Sequence, residues 1–261
     1  VRVQSFEDYA SKLRRSYVEF DQETRRQTIQ NKAQVLLEEP LRLVEDEKLV
    51  EWIVNSTEWP SGIRGGFDER FLHLPREILI TVMRDHQKYF SVENAEGRLE
   101  PFFVAILNMD EDARGLIRRG HERVLAARFA DAEFFWDADQ KVSLADRAER
   151  LASVTYQAEL GSYADKVERM RQIARLIVQA LADQDKITHA EAGDALRAVE
   201  LSKCDLTTQM VQEFTELQGV VGGLYAAAQG EPEGVANAIY DHYKPAGLED
   251  GAPRSLAGAV V

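Results

Sequence analysis

The sequence predicts a predominantly helical protein in which an α+β part comes first and an all-α part follows. Between residues 57 and 110, glycine and proline punctuate short runs of aromatic and β-branched side chains, which is typical of strands. After residue 110, apolar residues recur at intervals of three and four, the period of a buried helix face. We therefore expect a boundary near residues 138–143, with one domain over 1–140 and a second over 141–261.

The first part of the chain favours two helices. Apolar side chains recur at helical spacing over residues 5–38, so one long amphipathic helix is predicted there. Ser5 is followed three positions later by Asp8, a spacing that favours a capped helix start. A second helix is predicted over residues 44–56.

The α+β part contains two candidate strands, at residues 89–92 and 102–107, both rich in aromatic and β-branched side chains. Residues 94–97 (Asn-Ala-Glu-Gly) lie between them and have the composition of a hairpin turn. Residues 75–84 favour a short helix, because the proline at position 75 is tolerated in a first helical turn.

The chain after residue 110 is predicted to be wholly helical, with natural breaks at Gly161 and Gly230. The predicted helices cover residues 111–135, 143–158, 162–182, 189–214, 217–228 and 232–243. Glycines at 219, 222 and 223 permit the close approach of a helix or of a ligand backbone. They do not form a phosphate-binding loop, since they lie within a helical pattern and not after a strand.

The composition argues against several classes of function. The chain has 45 acidic and 32 basic residues and a net charge of −13, which disfavours non-specific nucleic-acid binding and so argues against DNA. A local basic patch is still compatible with that charge.

No apolar run approaches the roughly 18–20 residues that span a bilayer, and there is no signal-peptide pattern, so no membrane association is expected. The single cysteine, Cys204, suits a reducing cytoplasm. Because the chain does not begin with Met, we expect a piece of a longer protein.

The densest basic cluster consists of five arginines within fifteen residues: Arg114, Arg118, Arg119, Arg123 and Arg128. Two interpretations stay open. The cluster is either a solvated helix face balanced by Glu122 and Asp131, or a surface that contacts phosphates. The second interpretation rests on the guanidinium fork, whose geometry matches that of a phosphate.

A series of ordered motifs carries a resemblance to a known family. They are Asp85–Phe90, Gly120–Leu125, Asp131–Phe135, Leu160–Gly161 with Asp165–Lys166, Lys203–Leu206, Glu213–Gly219 and His242–Pro245. Over roughly residues 50–250 the chain resembles the β subunit of the bacterial two-subunit glycyl-tRNA synthetase. His121 stands where the family motif has asparagine.

The resemblance implies a subunit that binds and positions tRNA(Gly) for ATP-dependent glycylation by an α subunit, in a heterotetramer of two α and two β chains. It also implies that residues 1–140 belong to a tRNA-binding, editing-like domain. Residues 141–261 would belong to a degenerate HD-like helical domain, truncated at its C-terminus. ATP and Mg would be used by the α subunit, so neither a cofactor nor a catalytic residue is expected in this chain.

An active HD domain needs histidine and aspartate ligands that hold divalent metals for phosphohydrolysis. At the paired position this chain has Cys204 and Asp205, so the histidine is missing, and residues 163–181 on the early helix contain none. Asp205 and His242 mark the degenerate position, and no working metal site is expected. Asp205 fits a half-buried polar network better, and Cys204 fits a small buried residue.

His86 and Lys88 are the second pair of candidates. His86 has the chemistry of an acid or base and Lys88 that of a phosphate ligand, although a single histidine without a partner at defined spacing is a weak signal. Either the segment is structural, with Tyr89 and Phe90 entering the core, or it holds the tRNA acceptor end. The predicted RNA-facing residues are therefore this pair and the five arginines.

Two rival functions are compatible with the sequence. A metal-dependent HD-type phosphohydrolase would need the ligand set that is incomplete here. A purely structural module for subunit assembly is favoured by the net charge of −13.

Overall fold

The computed structural model describes residues 2–248 and 250–261 and divides the chain into two compact units. Unit 1 is Val1–Asp131 and unit 2 is Ala132–Val261. The protein is predominantly helical with one four-stranded sheet, which confirms the predicted α+β character. Within the described residues, no helix is both long enough and apolar enough to cross a membrane. The editing-like and HD-like identities of the two domains stay predictions.

Two helices, α1 (Phe6–Arg15) and α2 (Gln22–Gln34), replace the single helix predicted over residues 5–38. The prediction was wrong because Asp21 caps a new helix start, and its carboxylate accepts a hydrogen bond from the first turn of α2. Tyr17, in the gap, has a φ of 60°, which no residue of a right-handed helix can adopt.

Side-chain caps begin the other N-terminal helices as well. Ser5 accepts a hydrogen bond from the N–H of Asp8, as the spacing predicts. The third helix, α3, is Glu47–Ser56, and Asp46 caps it. The helix predicted over residues 44–56 is therefore confirmed, with its start fixed by the cap.

The sheet of unit 1 has four antiparallel strands in the order β1-β3-β4-β2. The strands are β1 (Arg42–Leu43), β2 (Pro60–Gly66), β3 (Tyr89–Glu93) and β4 (Leu99–Asn108). Both predicted strands are confirmed as β3 and β4, and the turn between them is closed by the side chain of Asn94 and by Gly97 at a φ of 75°.

The sequence missed strand β2 because three of its seven residues are glycine, which has low strand propensity. The structure explains one of them. A Cβ on Gly65 would lie 2.2 Å from Cζ of Phe103. The Phe103 ring is fully buried and stacks on Tyr89 with ring centroids 4.5 Å apart, so it has no room to retreat. A residue without a side chain is therefore required at position 65, where β2 crosses this ring.

The two faces of the sheet alternate along each strand. Phe90, Val92 and Val104 lie on one face, in a buried cluster with residues of α2 and α3. That cluster is Ile29, Ala33, Leu49, Ile53, Val54, Phe90, Val92 and Val104. Tyr89 and Phe103 occupy the opposite face, so the aromatic pair and the helices lie on different sides of the sheet.

Two more helices follow β2 along the chain. Helix α4 (Arg76–Thr81) follows Pro75 and continues as a π-helical turn over Val82–His86, which confirms the helix predicted over residues 75–84. Helix α5 is Leu116–Asp139, later in the chain than the predicted 111–135. The boundary between the units falls within α5.

Unit 2 contains seven further helices within the part of the chain that the structure describes. They are α6 (Leu144–Arg147), α7 (Tyr163–Ala182), α8 (His189–Leu201), α9 (Gln209–Glu213), α10 (Val220–Ala228), α11 (Glu233–Asp241) and α12 (Leu256–Val260).

Three expectations for unit 2 were wrong. The unit is not wholly helical, because β5 (Thr155–Gln157) and β6 (Gly161–Ser162) form a small antiparallel pair. The helix predicted over 143–158 gives way to 3-10 structure after α6. The helix predicted over 189–214 is split, because Thr208 caps a new start at α9.

A buried carboxylate explains where α9 begins. Asp139 accepts hydrogen bonds from the N–H groups of Gln209 and Met210, at 3.0 and 2.9 Å, and so satisfies the first donors of α9. It also pairs with the buried guanidinium of Arg147 at 3.0 Å and accepts from the Tyr225 hydroxyl at 3.2 Å. No local spacing predicts this contact, because its partners lie up to 86 positions away.

Replacing Gly65 by alanine should destabilise the protein by about 2 kcal/mol relative to Gly66→Ala, because the new Cβ overpacks against a ring that cannot move. Gly66 lies in the same strand, and its Cβ would meet only ordinary contacts, the nearest at 3.5 Å. Urea unfolding of both variants measures the difference. Equal stability would contradict the close packing of β2 on Phe103.

Candidate functional site

The largest cavity described within unit 1 is an open groove of about 890 Å³. Its floor is the glycine-rich strand β2, and one wall is the loop over residues 111–115 with the first turns of α5. Two of the predicted RNA-facing residues, Arg114 and Arg118, line it together with Arg64 of β2. The groove therefore brings together two of the seven predicted RNA-facing residues with one arginine that was not predicted.

The outer edge of β2 faces the groove. Strand β2 is last in the sheet order, so only one of its edges is paired with another strand. Gly66 donates its N–H outwards to the Glu122 carboxylate at 3.1 Å, whereas Phe67 donates inwards to the Pro101 carbonyl at 3.0 Å. Because N–H directions alternate along an antiparallel strand, the N–H of Arg64 points outwards like that of Gly66.

The loop at residues 111–115 is held by its own hydrogen bonds. Asp112 accepts from the N–H groups of Ile117 and Arg118, at 3.2 and 2.8 Å, and these bonds keep the pKa of its carboxyl below the usual range. Gly115 has a φ of 63°, which lets the chain turn into α5. Asp112 thus holds the helix start by hydrogen bonds, and the charge of Arg118 stabilises its carboxylate without forming an ion pair.

The three guanidiniums of the groove have no carboxylate partner. Across residues 2–248 and 250–261, Arg64, Arg114 and Arg118 form no ion pair. Arg64 lies over the ring of Phe102, 4.1 Å from its centroid, which holds the side chain at the groove. The groove also contains the carboxylates of Glu111, Asp112 and Glu122. Asp112 and Glu122 accept from backbone N–H groups, so the three guanidiniums remain able to bind an anionic ligand.

The other arginines of the predicted cluster do not line the groove. Arg119 donates to the backbone carbonyls of Gly115 and Arg114, at 3.1 and 3.3 Å. Arg123 is exposed and Arg128 is half-buried. Glu122, which the sequence offered as a balancing charge, is instead the acceptor for Gly66.

His86 and Lys88 also lie away from the groove. Lys88 donates to the carbonyl of Asp85 at 2.9 Å and lies over the ring of Trp52, 5.2 Å from its centroid. Its φ of 59° is a left-handed conformation that ends the π-helical turn before β3. Tyr89 is buried as predicted, and its hydroxyl lies 2.5 Å from Nδ1 of His121.

A second polar cluster lies in unit 2, where three motifs of the resemblance meet. The amine of Lys203 lies 2.6 Å from Nε2 of His242 and 3.8 Å from the ring centroid of Tyr243. Nδ1 of His242 lies 2.5 Å from the carbonyl of Ile239, so the ring donates there and accepts from the lysine. Burial and then the nearby Lys203 charge lower the pKa of His242 to about 4.

Asp205 connects this cluster to the turn at Gly219. Its side chain is fully buried, and Oδ2 accepts the N–H of Gly219 at 2.6 Å, while Oδ1 has no hydrogen-bond partner. Burial raises the pKa of Asp205 to about 6, opposed by the Gly219 bond and the Lys203 charge. A buried carboxylate in a polar network matches the sequence-based expectation for Asp205.

Gly219 is the position where a side chain cannot be accommodated. Its φ is 83°, and an added Cβ would lie 2.6 Å from the Tyr243 ring and 3.2 Å from the His242 ring. The hydrogen bond that Gly219 donates to Asp205 therefore fixes the turn against which the rings of His242 and Tyr243 pack. This is the close approach that glycine at position 219 permits.

Asp205 and His242, which the sequence analysis predicts to mark a degenerate HD position, do not fit a metal ion. Both ring nitrogens of His242 are engaged, and one oxygen of Asp205 is bound to Gly219. Among the described residues, no three ligating side chains lie together. Cys204 is buried, which raises the pKa of its thiol to about 12 and leaves it unreactive.

Sequence reasoning missed two residues that the structure places in these sites. Arg64 lies in the unpredicted strand β2, and the only signal was a charged residue among glycines. Lys203 was visible inside a motif, but its contact with His242 spans 39 positions and follows no local spacing.

The chain was compared with known proteins. The family model described as glycyl-tRNA synthetase beta subunit matches residues 1–261. Similar curated relatives named glycine–tRNA ligase beta subunit come from Acidobacterium capsulatum, at 50% identity, and Myxococcus xanthus, at 42% identity. Each comparison covers 97% of this chain and 36% of the relative. A relative of the same name from Limosilactobacillus fermentum is 37% identical over all of this chain and 37% of its own length. The chain thus spans little more than a third of these relatives.

Asp205→Asn should remove a pH dependence from the stability of the protein. Because the folded pKa of Asp205 is raised above its unfolded value, the acid contributes stability at low pH that is lost as pH rises through about 6. Between pH 5 and pH 7.5 the wild type should lose roughly 1–2 kcal/mol relative to the variant, which mimics the neutral acid. Urea unfolding at both pH values checks this, and parallel profiles would show that Asp205 is ionised throughout.

Proposed function

The chain belongs to the glycyl-tRNA synthetase beta subunit family, and we propose that it binds tRNA(Gly) and positions it for ATP-dependent glycylation by an α subunit. The observation that carries this proposal is the groove of unit 1, where Arg64, Arg114 and Arg118 have no carboxylate partner. Guanidinium groups without counter-charges are the groups that bind phosphodiester oxygens most strongly.

The open edge of β2 supports the same ligand. Outward N–H groups and arginines are both phosphate donors, and such contacts set the position of a nucleic acid without reading its sequence. At Gly66 an added Cβ would meet no atom closer than 3.5 Å, so the missing side chain there leaves room beside the strand. The groove therefore suits contacts with the RNA phosphate backbone, which position the RNA without recognising individual bases.

The net charge of −13 is compatible with this assignment because it limits binding elsewhere. Many basic groups outside the groove are neutralised by ion pairs, such as Arg147 with Asp139 and Arg197 with Glu231. An acidic protein with a few uncompensated arginines repels phosphates in general and attracts them at one place.

The remaining parts of the proposal concern the assembled enzyme. We propose a partner α subunit in a heterotetramer of two α and two β chains, with ATP and Mg bound on the α subunit, in the cytoplasm. Unit 1 would then serve as the tRNA-binding, editing-like domain and unit 2 as the degenerate HD-like domain. Arg119, Arg123, Arg128, His86 and Lys88 stay candidates for contacts outside the groove.

A phosphohydrolase is not favoured by any observation, because Asp205 and His242 are engaged with protein partners. The purely structural alternative predicts no RNA contact at the groove and is decided by the following test.

Reversing two groove charges, in the Arg114→Glu/Arg118→Glu variant, should weaken tRNA(Gly) binding at least tenfold. Loss of two phosphate contacts should also make the dependence of log Kd on log salt shallower by about two units of slope. Fluorescence anisotropy of labelled tRNA(Gly) with the assembled α and β subunits, over a range of salt concentrations, measures both quantities.

The control is Arg175→Glu/Lys186→Glu, which makes the same charge change at exposed residues of unit 2. It should leave most of the affinity and the salt slope in place. Equal losses in both variants would show a non-specific charge effect, and no loss in either would favour the purely structural alternative.

A further inference from the structure

A second group of positive charges lies in unit 2, beside the cluster of Lys203 and His242. Strand β5 supplies Tyr156, and the first turn of α7 supplies Tyr163 and Lys166. With Lys203 and Tyr243 they form what we call the lysine–tyrosine face. None of the proposed contacts in unit 1 uses these residues.

Aromatic rings surround Lys166. Its amine lies 4.1 Å from the ring centroid of Tyr156 and 5.7 Å from that of Tyr163. The two rings meet edge to face, with centroids 5.3 Å apart. The lysine is thus held at a fixed place between rings by cation–π attraction, and not by a carboxylate.

The two lysines repel each other. Burial, and then the charge of Lys166, lower the pKa of Lys203 to about 8. Neither lysine forms an ion pair within the described parts of the chain. Asp205 attracts Lys203 but is fully buried on Gly219, and Asp165 is bonded to Ser162. An anion at this face would supply the missing counter-charge.

The face also offers aromatic surface to solvent. Tyr156 is 38% exposed and Tyr243 is 41% exposed, whereas Lys203 beneath Tyr243 is only 3% exposed. Exposed rings beside uncompensated lysines are the combination that binds single-stranded nucleic acid, since bases stack on the rings and phosphates meet the ammonium groups.

We propose that the lysine–tyrosine face binds unpaired ribonucleotides, with Tyr156 and Tyr243 as stacking surfaces and Lys166 as a phosphate ligand. The inference rests on the proposed function, because tRNA is the RNA that brings unpaired nucleotides to this protein. Paired regions do not fit, since their bases are stacked inside the duplex and cannot reach a tyrosine ring.

Lys203, Asp205 and Gly219 act as positioning residues in this proposal. Asp205 accepts from the Gly219 N–H and fixes that turn, and both the turn and Lys203 contact the ring of Tyr243, which is still 41% exposed. The buried Lys203 and the buried Asp205 thus have a role in positioning Tyr243, which requires neither a bound metal nor a catalysed reaction.

The test uses a 5′-fluorescein-labelled hexaadenylate and a blunt RNA hairpin as probes, with the 261-residue chain. Tyr156→Ala should weaken binding of the hexanucleotide about tenfold, the loss expected for one stacked base. Tyr156→Phe should restore it, because phenylalanine keeps the ring. Lys166→Gln should reduce the salt slope by about 0.7, the value for one phosphate of a single strand.

The control Lys186→Gln removes an exposed lysine outside the face and should leave hexanucleotide binding unchanged. Thermal unfolding of each variant confirms that the fold is intact. Stronger binding of the hairpin than of the hexanucleotide, or no effect of Tyr156→Ala, would overturn the proposal.

The two proposals fail separately. If tRNA(Gly) binds and depends on Arg114 and Arg118, but the wild-type chain does not bind hexaadenylate, only the lysine–tyrosine face is refuted. If hexaadenylate binds through Tyr156 while charge reversal in the groove changes nothing, the face stands and the arginine groove is refuted.

Discussion

In each unit an aromatic ring lies directly on a glycine backbone, and the surrounding site depends on that contact. Phe103 covers Gly65 in unit 1, and Tyr243 covers Gly219 in unit 2. The first contact brings β2 close to β4 and leaves the outer edge of β2 as the floor of the groove. The second brings Tyr243 and His242 onto the turn that Asp205 holds. Neither contact leaves room for a Cβ on the glycine. Gly65 therefore determines the packing of the groove in unit 1, and Gly219 that of the polar cluster in unit 2.

The candidate sites are defined by which charges lack a partner and not by which charges are present. The chain has 32 basic residues, and Arg147 and Arg197 are examples that are neutralised by carboxylates. The acidic groups nearest the groove have other roles, since Asp112 caps α5 and Glu122 accepts from Gly66. Among the described residues the guanidiniums of the groove form no ion pair, so an incoming phosphate can pair with them.

The sequence predicted what depends on local chemistry. The β3–β4 hairpin, the cap at Ser5 and the burial of Asp205 all follow from residues within a few positions of one another. The sequence-based predictions were wrong where contacts between residues far apart in the chain determine the structure. Glycine is needed at position 65 of β2 because the buried Phe103 ring leaves no room for a Cβ there. The helices predicted over 5–38 and 189–214 are each divided in two, and a polar side chain caps the start of the second helix. The arginine cluster was predicted as a set, but the fold divides it, and only Arg114 and Arg118 reach the groove.

The central claim is that the open edge of β2 faces RNA. Residue-resolved amide hydrogen exchange of the assembled enzyme, with and without saturating tRNA(Gly), tests it most directly. Exchange at the outward N–H of Arg64 should slow when tRNA binds, while the inward N–H of Gly65, already turned towards β4, should not change. Unchanged exchange at Arg64 under saturating tRNA would contradict the account.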